Sequence, residues 1–487
     1  MEPQHIHFGG GAAETFLNPI VLLLILIVGV LILVWPRGKV IAPFIAAAIL
    51  IPTDQVIVVD GLHFPMLRVL ALFGIIRLVR EKISSKARIF SGGINRMDLA
   101  VIFFALSTGV AGVLLFREMG ALIFQLGNIY TTFGLYFLLR FLIRDKEDIV
   151  RMVGTLAWIA PVIAAAMIWE VKTGHSPFAL LGGAKASWYG NLMERDGRFR
   201  ALGCFGHPIL AGTFGAIALP LFVLLWRQGK NYRTLAAVGI ASTAVIIVTS
   251  NSSTPILAYV GGVFALCLWP LRNWMRTIRW SIAGVLVFVH IIWKQPVWYL
   301  IAKVDLAGGS SSWHRFALID QCIRHFGDWW LIGVKSTQDW GWDMWDTANQ
   351  YVGTCDSSGL LPFLLFMAIL VYGFKYLGRA RGVVRDKKTR LFLWALGASL
   401  FANVVSFFGI SYWDQTQVVW YGLLAAISAA AVIRAESSQV SVGVPSENLN
   451  WAEQLVGSAA DVESDAIEPV PQGARCTTVC LPTNRPQ

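Results

Sequence analysis

The chain reads as an all-α polytopic integral membrane protein with about 12–13 transmembrane helices. Three observations predict this. Only 14% of the 487 residues are charged and 56% are hydrophobic, whereas a soluble domain is nearer a quarter charged. Apolar runs long enough to cross a bilayer recur from 17–35 to 415–433. Lys and Arg favour alternate connections between those runs all along the chain, as the positive-inside rule requires.

The predicted spans, in order, are 17–35, 40–53, 63–79, 98–116, 119–140, 152–170, 207–226, 233–250, 254–270, 279–293, 357–375, 391–411 and 415–433. The second is short enough to be re-entrant, which leaves the count at 12 or 13. With residues 1–16 placed outside, the inner connections hold 26 Lys and Arg and the longer outer segments hold 12. The bias never reverses, so the N-terminus is expected outside and the C-terminus in the cytoplasm. The basic cluster Arg37-Gly-Lys39 follows the first apolar run, the wrong flank for a cleaved signal peptide.

The organisation that follows is a short outer N-terminus (1–16), a transmembrane domain (17–433) and a tail (434–487). The tail is poor in apolar runs and rich in Ser, Pro, Glu and Asp, so it is expected to be disordered and cytoplasmic. The two large outer segments are 171–206 and 294–356. The second carries Trp298, Trp313, Trp329, Trp330, Trp340, Trp342 and Trp345, seven of the 20 Trp in the chain. It is therefore no featureless linker. Within it, Trp313, Phe316, Ile319, Ile323, Phe326 and Trp330 recur at helical spacing. One amphipathic helix over 313–330, lying at the outer membrane surface, is expected.

Composition also excludes functions. The net charge of +11 sits mainly in short inner connections, where it orients spans and meets anionic lipid. A nucleic-acid partner is not expected. The span cores from 98 onward hold no Asp, Glu, Lys or Arg except at their ends, which argues against a proton- or sodium-coupled pump. No P-loop, dinucleotide fingerprint or HExxH occurs. No cofactor is expected. Cys204, Cys322 and Cys355 fall on the predicted outer side, which permits a disulfide. Cys476 and Cys480 in the tail are three residues apart with no nearby His, which does not suit zinc. No metal is expected.

Polar reactive groups gather on the predicted outer face. His5, His7, His63, His175, His207, His290, His314 and His325 all fall on or near it, with Arg195, Arg198, Arg200, Arg315 and Arg324. Arginine forks bind phosphate bidentately. A group of them at the outer surface suits a lipid-linked diphosphate. The bland alternatives are that Arg195, Arg198 and Arg200 pair with Glu194 and Asp196, and that His207 caps the span beginning at Pro208.

Four stretches carry a family resemblance. They are Arg198-Phe-Arg-Ala-Leu-Gly-Cys-Phe-Gly-His-Pro-Ile-Leu-Ala-Gly212, then Ser250-Asn-Ser-Ser-Thr-Pro255, then Arg315 through Gly333, then Thr347-Ala-Asn-Gln-Tyr-Val352 with Ser358-Gly-Leu-Leu361. In this order, over about residues 150–410, the chain resembles the O-antigen ligase / O-antigen polymerase family of bacterial envelope polysaccharide proteins. The resemblance implies a GT-C-like membrane architecture in the bacterial inner membrane. It implies an inverting, metal-independent glycosyl transfer from a glycan on undecaprenyl diphosphate at the outer face. Arg198, Arg200 and Arg315 would hold the diphosphate, and Asn349 and Tyr351 would stand on the acceptor side. Membrane lipids and other polysaccharide assembly proteins are the further expected partners. The chain departs from the family pattern at two places. Ala348 stands where the family has its base histidine, and Asn251 or Ser252 stands where the family has arginine. Asp346, His314 and His325 are the candidate replacement bases. Two further readings stay open: a non-catalytic membrane component of an exopolysaccharide assembly complex, and a polysaccharide or lipid transporter.

Overall fold

The computed structural model describes residues 15–84, 89–183, 194–195, 197–303 and 311–440. The expected outer N-terminus before 15, residues 304–310 of the large outer segment, and the tail from 441 with its two cysteines lie outside these. The described residues up to Ser438 belong to one unit.

The described chain is mostly helical. Its helices are α1 (Pro19–Val34), α2 (Arg37–Leu50), α3 (Met66–Ser84), α4 (Arg96–Phe116), α5 (Met119–Leu142), α6 (Lys146–Thr173), α7 (Pro208–Trp226), α8 (Lys230–Ser250), α9 (Ser253–Cys267), α10 (Met275–Ile292), α11 (Ser311–Arg324), α12 (Phe326–Trp329), α13 (Gln350–Ser358), α14 (Leu360–Val383), α15 (Lys387–Ser406) and α16 (Thr416–Val440). Each of the thirteen predicted runs coincides with one of them. Eight are long and apolar enough to cross a membrane: α4 to α8, α10, α14 and α15. Three more, α1, α9 and the stretch 416–432, are apolar but shorter.

Local chemistry sets the helix starts. Asn95 and Asp98 form a reciprocal capping box on α4, and Asp145 caps α6. His207 caps α7 ahead of Pro208, whose missing N–H costs nothing at a first helical position. Packing then sorts the helices by depth. α7 is the most enclosed of the eight and rests on α6, α8, α9 and α15. No residue of α10 is buried, so this helix is peripheral.

Side-chain links join loops in the pattern that alternating spans require. At one end Arg37 meets Asp148, Arg140 pairs with Asp98 at 3.0 Å, and Arg381 donates to the Arg272 carbonyl. At the other, Gln55 donates to Leu181, Gln415 to Ile51 and Cys204, and Gly206 to Asp414.

Two features depart from the expectations. The run 63–79 begins not as helix but as a strand: Val56–Val59 (β1) and Leu62–Pro65 (β2) form a hairpin. Asp60 and Gly61 both have positive φ, 50° and 77°, the turn that Asp-Gly favours between strands. The helix expected over 313–330 is broken at His325 into α11 and α12. There the Trp329 indole N–H takes the Cys322 carbonyl at 2.6 Å, and His325 pairs with Asp328 at 2.9 Å. Ala317, Leu318, Cys322 and Trp329 form a small buried cluster with Trp340, Met344, Val352 and Cys355. Trp313, Ile323, Phe326 and Trp330 of the predicted apolar stripe are exposed instead.

Candidate functional site: an arginine pair at the α8–α9 turn

The turn between α8 and α9 is a cluster of small hydroxyls. Asn251 takes a left-handed conformation with φ 44°, which Asn tolerates better than most residues. Ser252, Ser253 and Thr254 follow and are all buried. Two arginines from distant segments close on these consecutive residues. Arg200 Nη2 donates to Ser252 Oγ at 2.7 Å. Arg315 Nη2 donates to Thr254 Oγ1 at 2.7 Å and to Ser253 Oγ at 3.3 Å. Three consecutive residues of one turn thus hold both guanidinium groups.

Each arginine is positioned by its own scaffold. Around Arg200, the Glu170 carboxylate accepts from the Leu202 and Gly203 N–H groups at 2.8 and 2.9 Å, and Ala201 N–H donates to the Thr249 carbonyl. Arg315 lies on α11 and passes Gly409, between α15 and α16. A Cβ at Gly409 would stand 2.8 Å from Arg315 Nε and collide with Thr254 Oγ1, so a larger residue must push these side chains aside.

The other predicted residues sort clearly. Arg198 lies in a two-residue strand (Arg198–Phe199) and is exposed; among the described residues, no hydrogen bond or ion pair joins it to the turn. The side chain of Arg195 lies outside the described residues. Arg324 pairs with Asp320 at 2.7 Å within α11. His314 neighbours Arg315, and its Nε2 donates to the Asp346 carbonyl at 3.0 Å. A carbonyl can only accept, so the proton sits on Nε2 and a neutral ring keeps Nδ1 as its basic atom. Asp346 keeps an exposed edge, yet the protein packed around its carboxyl raises its pKa. His314 and the Ala348 N–H oppose that rise, and Asp343 adds to it. His325 stacks on Trp340 with ring centroids 5.2 Å apart. Ten residues after Arg315 and just past the end of α11, about 15 Å on, it stands apart from the pair.

Asn349 and Tyr351 have their polar atoms engaged by the fold. The Asn349 side chain caps α13 through the Tyr351 and Val352 N–H groups, and donates to the Phe408 carbonyl. Tyr351 donates to the Val404 carbonyl at 3.0 Å, with its ring against Phe366, Phe407 and Phe408. Their visible role is to seat α13 on the segment that carries Gly409.

Two residues were missed. Asp356 is buried on α13, its carboxyl accepting from Thr347, and desolvation pushes its pKa up to about 7. Arg68, at the start of α3, lines a cavity of about 750 Å³. Asp356 was legible only as a carboxylate next to an apolar run, and Arg68 only as a lone cation inside one. Among the described residues, no three His, Cys, Asp or Glu side chains gather so as to hold a metal ion. No family model matches the chain, and none of the curated proteins matches it.

Proposed function

We propose that the chain is a multi-pass protein of the bacterial inner (plasma) membrane, N-terminus periplasmic and C-terminus cytoplasmic. In this reading it polymerises or transfers undecaprenyl diphosphate-linked polysaccharide units at the outer face. The observation that carries the reading is the convergence of Arg200 and Arg315 on Ser252–Thr254, all in segments that the Lys/Arg bias assigns to the outer side. Two guanidinium groups at the mouth of apolar helices suit a diphosphate whose prenyl tail stays in the bilayer.

The chemistry asked of the protein is limited. An acceptor hydroxyl attacks the anomeric carbon as its bond to the diphosphate breaks. The arginines stabilise the charge gathering on the departing diphosphate. The acceptor proton passes to His314 Nδ1, or to the Asp346 carboxylate, the two candidate bases nearest Arg315. This is an inverting glycosyl transfer that draws on no metal, on a GT-C-like frame of 12 or 13 spans. A second reading, a non-catalytic component of an exopolysaccharide assembly complex, draws on Ala348 at the family's base position and on the engagement of Asn349 and Tyr351 by the fold.

One experiment separates the two. Arg200→Ala and Arg315→Ala are each expressed in a strain lacking the native protein, and glycan length and lipid-linked intermediates are measured. The enzyme reading expects loss of long polymer and accumulation of lipid-linked units at normal protein level. Full-length polymer from both variants would sink it.

A further inference from the structure

A cavity of about 750 Å³ is lined by neither Arg200 nor Arg315. It falls in the size range of small-molecule sites, roughly 300–1,000 Å³. Its lining is graded. Asp54 follows α2, Arg68 and Gln350 begin α3 and α13, and Trp413 lies between α15 and α16, all on the side of the predicted outer loops. Val101, Phe104, Ile369 and Leu424 form its apolar depth. Leu424 is eight residues into α16, and Ile369 nine into α14, which sets the apolar part roughly 12–14 Å below the mouth. Phe124 and Asn128 line the cavity and are also exposed, so it reaches the flank of the bundle along α5.

Arg68 is built into this space. Its Nε donates to Thr131 Oγ1 at 3.1 Å and its Nη1 to the His63 carbonyl at 2.9 Å. Gly127 leaves it room, since a Cβ there would come within 2.5 Å of Nη2. No carboxylate lies within ion-pair distance of it among the described residues. A cation so placed at the end of apolar helices is costly unless an anion meets it. Asp54 shares the mouth, so a plain anion is a poor match. The complementary group is a phosphate that carries hydrogen-bond donors beside it.

We propose that this cavity is a phospholipid site. Arg68 takes the phosphodiester, Asp54 takes N–H or O–H donors of the headgroup, and the acyl chains follow the apolar depth and leave between the helices at Phe124. The inference rests on the membrane-spanning reading and is independent of glycosyl transfer. Its failure would leave the arginine pair untouched.

The test is native mass spectrometry of the full-length protein purified in a neutral detergent. Dioleoyl phosphatidylethanolamine, phosphatidylglycerol or phosphatidylcholine is added at equal concentration, with inorganic phosphate as competitor. The first two lipids carry headgroup donors and are expected to be retained more than phosphatidylcholine, with that preference lost in Asp54→Asn. Arg68→Gln is expected to cut retention about tenfold, as loss of one charge-assisted contact does. Asn128→Trp, at an exposed position, narrows the flank and is expected to cut it as well. Arg117→Gln, another arginine on the predicted outer side, is expected to change nothing. Wild-type retention in both Arg68→Gln and Asn128→Trp overturns the proposal. So does displacement of the lipid by millimolar phosphate, which would make this a site for free anions.

Discussion

Arg315 and Thr254 touch, Nη2 to Oγ1 at 2.7 Å, beside Gly409, where an added Cβ would crowd both side chains. The contact joins a helix of the large outer segment to the turn between two spans. Gly409→Ala is therefore expected to push Arg315 off the turn. Overpacking of this kind costs about 1–3 kcal/mol. The expected outcome is shorter polymer, in the same direction as Arg315→Ala but weaker, with protein level unchanged. Glycan length on a gel checks it, and wild-type length would show that this placement of Arg315 is not required.

Asp356 predicts a pH dependence of stability. Its folded pKa of about 7 lies above the ordinary carboxylate value, so the folded state holds the proton more tightly than the unfolded chain. The contribution is complete below about pH 4 and is lost as pH rises toward 7. Asp356→Asn keeps a neutral polar group and should flatten that slope. Thermal unfolding in detergent from pH 5 to 8 measures it. A slope unchanged in the variant assigns the dependence to other groups.

The apolar runs were legible because a helix in a bilayer must satisfy its own backbone and bury no charge, so its residues are apolar almost without interruption. The Asp60-Gly61 hairpin was equally legible, with Val and Ile before it and Leu and Phe after. Reading for spans obscured that shorter signal. The arginine pair was legible only in part. Arg200 and Arg315 stand out as outer cations, but their meeting on Ser252–Thr254 joins residues 52 and 61 positions apart, and no local period encodes that. Asn349 and Tyr351 show the opposite failure. A motif names residue types, and the same Asn that could meet a sugar also caps a helix.

The Arg140–Asp98 pair predicts a large stability effect at the other end of the bundle. Both side chains are fully buried, and Tyr136 also donates to Asp98. Arg140→Ala leaves a buried carboxylate without its cation, which costs about 3–5 kcal/mol. The double variant Arg140→Met, Asp98→Asn removes both charges, keeps an acceptor for the Asn95 N–H and the Tyr136 hydroxyl, and should recover much of that loss. Unfolding midpoints of the two variants decide it: a double variant as unstable as the single one would show that shape, and not charge, was lost.

His314 offers the sharpest division between a catalytic and a structural role. Its Nε2 donates to the Asp346 carbonyl, so the ring holds the strand of chain leading to α13 and also presents Nδ1. Gln in its place can supply an N–H donor to the same carbonyl but has no basic nitrogen. If the imidazole serves only as that donor, His314→Gln should retain polymer synthesis and His314→Ala should weaken it. If Nδ1 takes the acceptor proton, both variants should lose the 10²–10⁴-fold that a positioned general base contributes. Arg315→Ala should then depress the affinity for the lipid-linked donor, while His314→Gln leaves that affinity intact and lowers turnover. Donor binding by purified variants, set beside single-turnover transfer, resolves the two. Near-normal turnover in His314→Gln would move the role of base to the Asp346 carboxylate, whose Asn variant is then expected to lose turnover.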